Sequence, residues 1–179
     1  MRILAIALSF GLAAATCCGQ DAQDELTGFD WLKQFEGDWS TQFDGTMNSR
    51  VVGKKWVVNE YTFPSGLFAI QALGYDEEKK QFVGTWVDAS SSFIWRYSGK
   101  LDPTGKILVL DAEGPDLKDP SKMRAYRDSY EFTSRDEIAA VSRMLDDKKE
   151  WKTFSDSKMK RKVAGNAAAR PKNKPPKKD

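Results

Sequence analysis

Aromatic side chains at alternate positions of apolar runs are the residues best suited to binding a small molecule. Phe82 and Trp86 alternate in one run, and Phe93, Trp95 and Tyr97 alternate in the next. Alternate residues of a β-strand point to the same side of its sheet. If Trp86 points inward, these rings either line an apolar pocket for a hydrophobic or amphipathic molecule or fill the interior for stability alone. The predicted wall residues are Trp56, Val58, Phe82, Trp86, Phe93, Trp95 and Tyr97.

Two charged residues within otherwise apolar runs are candidates for orienting a ligand. Glu60 shares a face with Trp56 and Val58, and Arg127 follows Met123 in a later run. A charge that is buried needs a partner. We predict that Glu60 and Arg127 orient a carboxylate or carbonyl ligand. The alternative is a cross-strand ion pair or a pair of exposed side chains.

Catalytic and metal-binding side chains are scarce. The chain has no histidine, which excludes Ser-His-Asp, Cys-His and histidine-ligated zinc or haem chemistry. Two converging carboxylates could perform acid–base chemistry, and the candidates are Glu60, Asp88, Asp111 and Glu113. The acidic residues from Asp111 to Asp119 do not have the spacing of an EF-hand loop. The sequence therefore assigns no catalytic residue, metal or cofactor, and it favours binding over catalysis.

The N-terminal segment has the features of an export signal. Arg2 precedes an apolar run over residues 3–15, which is followed by small residues. The run is shorter than the roughly 20 residues that a membrane-spanning helix needs. We expect residues 1–19 to be a signal peptide and the protein to be periplasmic or secreted. A lipid anchor on Cys17 is the less favoured alternative.

Charge is divided between the body of the chain and its C-terminal end. Residues 158–179 carry nine basic and one acidic side chain, whereas residues 20–157 carry 18 basic and 25 acidic ones. Residues 163–179 have no apolar face, which predicts a disordered basic tail. The tail could tether the protein to an anionic polymer or membrane surface, or merely keep it soluble. The net negative charge of residues 20–157 argues against a nucleic-acid partner. We expect the protein to be a monomer.

The sequence pattern of residues 26–162 predicts an all-β domain. Turn signals recur at the spacing of a barrel or sandwich, which gives about ten strands. The predicted strands cover residues 38–44, 47–53, 55–63, 67–75, 80–88, 91–100, 106–113, 123–133, 137–145 and 149–161. Both faces of several strands carry bulky residues, and closure would leave no strand edge unpaired. We therefore predict a closed or nearly closed antiparallel meander barrel.

A local signal at the start of this region predicts how the barrel is closed. Residues 29–35 have apolar side chains at helical spacing and lead into Gly37-Asp38-Trp39. Glycine permits a tight turn beneath a barrel, and the indole can plug its end while a cation stacks on the ring. Arg161, on the last predicted strand, is the candidate partner of Trp39. The alternative is that Trp39 is ordinary core and that Arg161 is solvated.

Several motifs resemble those of known families. Gly37-x-Trp39 resembles the opening motif of the calycins, and six further motifs resemble a bacterial family of unknown function over residues 29–162. These are Leu73-Gly74-Tyr75-Asp76, Lys79-Lys80-x-Phe82-Val83-Gly84-Thr85-Trp86, Tyr97-x-Gly99-x-Leu101-Asp102-x-x-Gly105-Lys106, Glu113-Gly114-Pro115, Asp119-Pro120-x-Lys122-Met123 and Tyr126-Arg127-Asp128-x-x-Glu131-Phe132. The resemblance implies a lipocalin-like barrel with a short N-terminal helix. It implies no established activity, catalytic residue or cofactor.

The sequence thus predicts an exported, lipocalin-like barrel that binds a small apolar or amphipathic molecule in its interior. One alternative is a structural or interaction barrel with a filled core and a tethering tail. The other is a hydrolase or isomerase that uses interior carboxylates.

Overall fold

Ten antiparallel strands and one short helix make up the part of the chain that the computed structural model describes, namely residue 26 and residues 28–162. Helix α1 (Gly28–Leu32) continues into a 3-10 turn (Lys33–Phe35), and a second 3-10 turn (Gln42–Asp44) follows the first strand. The strands are β1 (Gly37–Ser40), β2 (Thr46–Val52), β3 (Trp56–Thr62), β4 (Phe68–Asp76), β5 (Gln81–Asp88), β6 (Trp95–Leu101), β7 (Ile107–Pro115), β8 (Met123–Ser134), β9 (Glu137–Leu145) and β10 (Trp151–Arg161).

The strands form a closed meander. Each strand pairs with its neighbours in the chain, and β1 completes the cylinder against β10. At this seam Trp39 lies opposite Arg161 and Ser40 lies opposite Lys160. Side chains along each strand therefore alternate between the interior and the outer surface. The predicted all-β barrel of about ten strands, with a short N-terminal helix, is confirmed.

Two strand boundaries differ from the predicted ones by four residues, and the others differ by no more than two. The first strand ends at Ser40 instead of residue 44, because residues 42–44 turn and Asp44 adopts a φ of 56°. The sixth strand begins at Trp95 instead of residue 91. Before it, the Asp88 carboxylate accepts the Ser90 amide at 2.8 Å, and such local bonds compete with strand pairing.

The helix and the turn that follows it plug one end of the barrel, which we call the closed end. Trp31, Leu32 and Phe35 are buried there. The ring of Trp31 packs edge-to-face on Phe132 and Phe82, with centroid distances of 5.3 and 6.2 Å. Phe35 packs in the same way on Phe132 at 5.0 Å. This geometry is the preferred one for aromatic pairs, so the rings at the closed end form a packed aromatic core.

Arg161 joins the last strand to the helical plug. Its guanidinium lies 4.0 Å from the centroid of the fully buried Trp39 ring. It donates hydrogen bonds to the carbonyl oxygens of Glu36 at 2.5 Å and Gln34 at 3.0 Å. The Trp39 indole donates to the carbonyl of Phe35 at 2.7 Å. One cation therefore stacks on the indole and also satisfies carbonyls at the end of the 3-10 turn.

Gly37 makes this arrangement possible in two ways. Its φ of 131° is a conformation that residues with a side chain rarely adopt. A Cβ atom at this position would also lie 2.6 Å from Nη1 of Arg161. The structure thus brings Gly37, Trp39 and Arg161 together at the closed end.

Replacing Arg161 with alanine should lower the free energy of unfolding by roughly 2–4 kcal/mol, because the cation–π contact and several hydrogen bonds to backbone carbonyls are lost. Urea unfolding followed by tryptophan fluorescence measures the change. Lys160→Ala, at the adjacent exposed position, is the control and should cost less than about 0.5 kcal/mol. Equal losses in the two variants would show that the Arg161 contacts do not stabilise the barrel.

Candidate ligand-binding site in the barrel interior

Aromatic side chains surround the interior near the open end of the barrel, opposite the helix. Trp95 contacts Tyr126 edge-to-face at a centroid distance of 4.6 Å, and Tyr61 contacts Trp86 at 5.1 Å. Trp86 and Trp95 remain partly exposed. We call this group the aromatic collar, and it comprises Tyr61, Trp86, Phe93, Trp95, Tyr126 and Phe154.

A β-bulge adds Phe154 to the collar. The pairing register of β10 with β9 shifts between Thr153 and Ser155, so Phe154 is the extra residue on β10. Its ring lies 5.9 Å from that of Tyr126, and 48% of the residue is exposed. The bulge therefore places an apolar ring at the open end.

Gly114 determines where the Trp95 ring lies. Gly114 is buried near the end of β7, and a Cβ atom there would overlap the six-membered ring of Trp95. The absence of a side chain lets the indole lie against the barrel wall.

A layer of hydrogen-bonded polar side chains lies on the inner face below the collar. The Tyr97 hydroxyl donates to Oδ2 of Asp128 at 2.6 Å. Nε2 of Gln71 donates to the Tyr130 hydroxyl at 2.9 Å, and Nδ2 of Asn59 donates to Oε1 of Gln71 at 3.0 Å. Ser142 lies opposite Asp128 on β9. We call Asn59, Gln71, Tyr97, Asp128, Tyr130 and Ser142 the polar layer.

Enclosure by the protein shifts the acid–base equilibria of this layer. Burial raises the pKa of Asp128 above its usual range, and hydrogen bonds from the Ser142 and Tyr97 hydroxyls offset part of the rise. Burial also raises the pKa values of Tyr97 and Tyr130 well above their usual value. Asp128 nevertheless retains partial solvent exposure. It is therefore a largely enclosed carboxyl group on a residue that is not fully buried.

Two buried oxygens beside this layer have no hydrogen-bond partner among the described residues. They are Oγ of Ser49 and Oδ1 of Asn59, on directly paired residues of β2 and β3. Leaving such an atom unsatisfied is costly, so these positions favour a polar group within reach. The β2–β3 wall can therefore accept further hydrogen bonds.

A short loop at the open end is fixed by ionic contacts. Arg124 donates to the carboxylate of Asp116 at 2.6 Å and contacts Asp147 at 2.5 Å. Asp116 also accepts the amide hydrogens of Lys118 at 2.7 Å and Asp119 at 3.1 Å. These amide bonds, followed by the Arg124 contact, lower the pKa of Asp116 from its usual 3.8 to about 2. The loop over residues 116–122 is thus tied to the turn between β9 and β10.

The predicted wall residues divide between the two faces of the barrel. Trp86, Trp95 and Tyr97 lie on the inner face and belong to the collar and the polar layer. Phe82 is also inward, but it packs against Trp31 at the closed end.

Trp56 and Glu60 were assigned to the wrong face of β3. The inner positions of this strand are Val57, Asn59 and Tyr61, which are all buried. Trp56 is 41% exposed, and Glu60 forms an ion pair with Arg50 at 2.5 Å on the outer surface. Val58 shares this outer face. Each face of β3 carries apolar side chains together with a strongly polar one, Asn59 inside and Glu60 outside, so hydrophobicity did not distinguish the two faces.

Arg127 also lies on the outer surface, so Glu60 and Arg127 do not orient a ligand in the interior. Arg127 forms an ion pair with Asp111 at 2.7 Å, and its guanidinium lies 4.5 Å from the Trp151 ring centroid. Asp128, the next residue, is the inward one. A signal for this was present, because Tyr126, Tyr130 and Phe132 occupy alternate positions that include residue 128.

The carboxylates considered for acid–base chemistry do not converge. Glu60, Asp111 and Glu113 lie on the outer face. Asp88 lies at the open end, where it accepts a hydrogen bond from the Trp86 indole at 2.9 Å. Among residue 26 and residues 28–162, no group of three or more acidic or cysteine side chains is arranged to hold a metal ion.

The expectations for the two ends of the chain fall outside the described residues. They concern the signal peptide over residues 1–19, with Cys17, and the basic tail over residues 163–179. Within residue 26 and residues 28–162, no helix is long and apolar enough to cross a membrane.

The fold and the interior define a closed β-barrel whose helix plugs one end and whose other end carries an aromatic and polar interior. A family model described as Protein of unknown function (DUF1579) matches residues 27–161. The chain therefore belongs to this family, which confirms the resemblance to a family of unknown function. No curated protein matches the sequence significantly.

Gly114→Ala should reduce stability by about 1–3 kcal/mol, because the added methyl group overpacks the contact with Trp95. In a Trp95→Ala background the same substitution should lower the free energy of unfolding much less, since the ring that it displaces is gone. A double-mutant cycle measured by urea unfolding tests this coupling. Additive effects would show that Gly114 does not position Trp95.

Asp116→Asn should loosen the loop over residues 116–122 at neutral pH while leaving the barrel folded. The contribution of ionised Asp116 is complete above pH 3.8 and is lost as the pH falls through about 2, because its pKa is lowered on folding. Hydrogen exchange of the loop amides measures the effect, with Asp111→Asn as the control. Unchanged exchange in Asp116→Asn at neutral pH would contradict this role.

Proposed function

We propose that this protein is exported and that it binds a small amphipathic molecule in the open half of a lipocalin-like barrel. The apolar part of the molecule contacts the aromatic collar, and its polar end reaches the polar layer. The observation that carries the proposal is that the inner face becomes more polar and more exposed from the closed end toward the open end. Leu108, Ile138 and Met159 are buried toward the closed end. Toward the open end Trp86, Trp95 and Ser142 are partly exposed, while their neighbours Tyr61 and Tyr126 are buried.

The composition of the inner face supports binding over a filled structural core. A core built for stability alone does not need hydrogen-bonding groups, because each one must be desolvated and satisfied. Here a carboxyl group, two amides and several hydroxyls face the interior below the collar. Ligand pockets typically combine apolar walls with a few placed polar groups.

The surface around the open end supports uptake from an apolar environment. Five of the exposed large apolar residues lie at this end, in strands or loops that border it. They are Phe68, Ile94, Leu117, Met123 and Phe154. Apolar groups at the entrance allow a hydrophobic molecule to transfer with less exposure to water. The proposed export has separate support in the signal-like sequence of residues 1–19.

Titration with the uncharged fluorescent probe Nile red tests binding. Trp86→Ala and Trp95→Ala should each weaken probe binding by about tenfold, because each removes an aromatic contact in the interior. Trp56→Ala is a matched control, since the same residue type lies on the outer surface. It should change the dissociation constant by less than about twofold.

Native mass spectrometry of protein purified from its own exporting cells provides an independent test. A retained small molecule that is missing from the Trp95→Ala variant would support the proposal. Failure of Nile red to bind, or equal effects of the Trp56 and Trp95 substitutions, would contradict it.

A further inference from the structure

We infer that the interior prefers an amphipathic molecule whose polar end is a primary ammonium group, with Asp128 as its counter-charge. This inference rests on the proposed binding function and names the chemical class of the ligand. The expected charge is opposite to that of the carboxylate ligand suggested by Glu60 and Arg127 in the sequence. Both of those side chains lie outside the barrel.

The charges on the inner face are the first support. Asp128 carries the carboxyl group of the polar layer, and none of the layer's other members is a lysine or arginine. Two cations lie on inner-face positions at the open end, and both are engaged. Arg124 is held by Asp116 and Asp147, and Lys152 lies 2.5 Å from Glu150. Among the residues that the structure describes, a ligand carboxylate would find no cation beside Asp128 that lacks an acidic partner, and ionised Asp128 would repel it.

The hydrogen-bonding capacity of the layer is the second support. A carboxylate offers about four acceptor sites, and Asp128 receives a hydrogen bond from Tyr97 and another from Ser142. The Oδ1 atom of Asn59 is a further acceptor without a donor. An ammonium group has three donors and no acceptor, so it complements this surplus of acceptors.

The aromatic collar is the third support. Trp86 and Trp95 lie on the inner face between the open end and the polar layer, and both are partly exposed. A cation is attracted to the face of an aromatic ring, most strongly to that of tryptophan. The collar therefore favours passage of a cationic end, whereas it offers a carboxylate only apolar surface.

Competition with Nile red by three molecules of equal chain length tests the preference. The competitors are dodecylammonium, dodecanol and dodecanoate, which differ in the polar end alone. We expect dodecylammonium to bind at least about tenfold more tightly than dodecanol, because a charge-assisted hydrogen bond to Asp128 is added. Dodecanoate should bind most weakly.

Asp128→Asn should remove most of the advantage of dodecylammonium over dodecanol. Asp111→Asn is the matched control, because it changes the net charge equally but lies on the outer face of the adjacent strand. It should leave the advantage intact, which separates a local contact from attraction by the acidic body. Tyr97→Phe, which removes one donor to Asp128, provides a second variant and should retain binding of dodecylammonium.

The outcomes separate the inference from the proposed function. If dodecanoate binds as tightly as dodecylammonium, or if Asp128→Asn keeps the preference, the inference is wrong while binding in the interior stands. If Nile red and all three competitors fail to bind the folded protein, the proposed function itself is wrong.

Discussion

The contact of Arg161 with Trp39 and the turn before β1 is the interaction on which the rest of the barrel depends. The seam between β1 and β10 pairs at two positions, so backbone hydrogen bonds alone hold it weakly. The guanidinium adds a cation–π contact at 4.0 Å and hydrogen bonds to the carbonyls of Gln34 and Glu36. It thereby fixes the plug and the last strand to the same indole.

The difference between the sealed end and the open end explains the composition of the barrel interior. The closed end contains the tightly packed rings of Trp31, Phe35 and Phe132, which supply the apolar burial that a single domain requires. The open half can then carry groups that a core excludes. Asp128 illustrates this, because its enclosure raises its pKa while the side chain stays partly accessible. The packed aromatic contacts that stabilise the fold lie at the closed end of the barrel, and the polar groups of the interior lie in the open half.

The two-residue periodicity was enough to predict the barrel and to place Trp95 and Tyr97 on one face of a strand, because side chains alternate along each strand. Which of the two faces points inward had to be assumed. This assumption failed on β3, where the inner face carries Asn59 and the outer face carries Trp56. Hydrophobicity identifies the inner face only where the interior is apolar. The contact between Tyr97 and Asp128 joins strands distant in sequence, and its prediction needs the pairing register, which periodicity does not determine.

The bulge at Phe154 has a geometric consequence for the whole molecule. In a closed sheet, one additional residue on a single strand has no counterpart on the strand opposite, so the perimeter loses its regularity at that point. The rim of the open end is therefore irregular at β10. A rigid, flat ligand and a flexible, linear one would fit this irregular entrance differently. The shape of a ligand, as well as its polarity, would then determine whether it can enter the barrel.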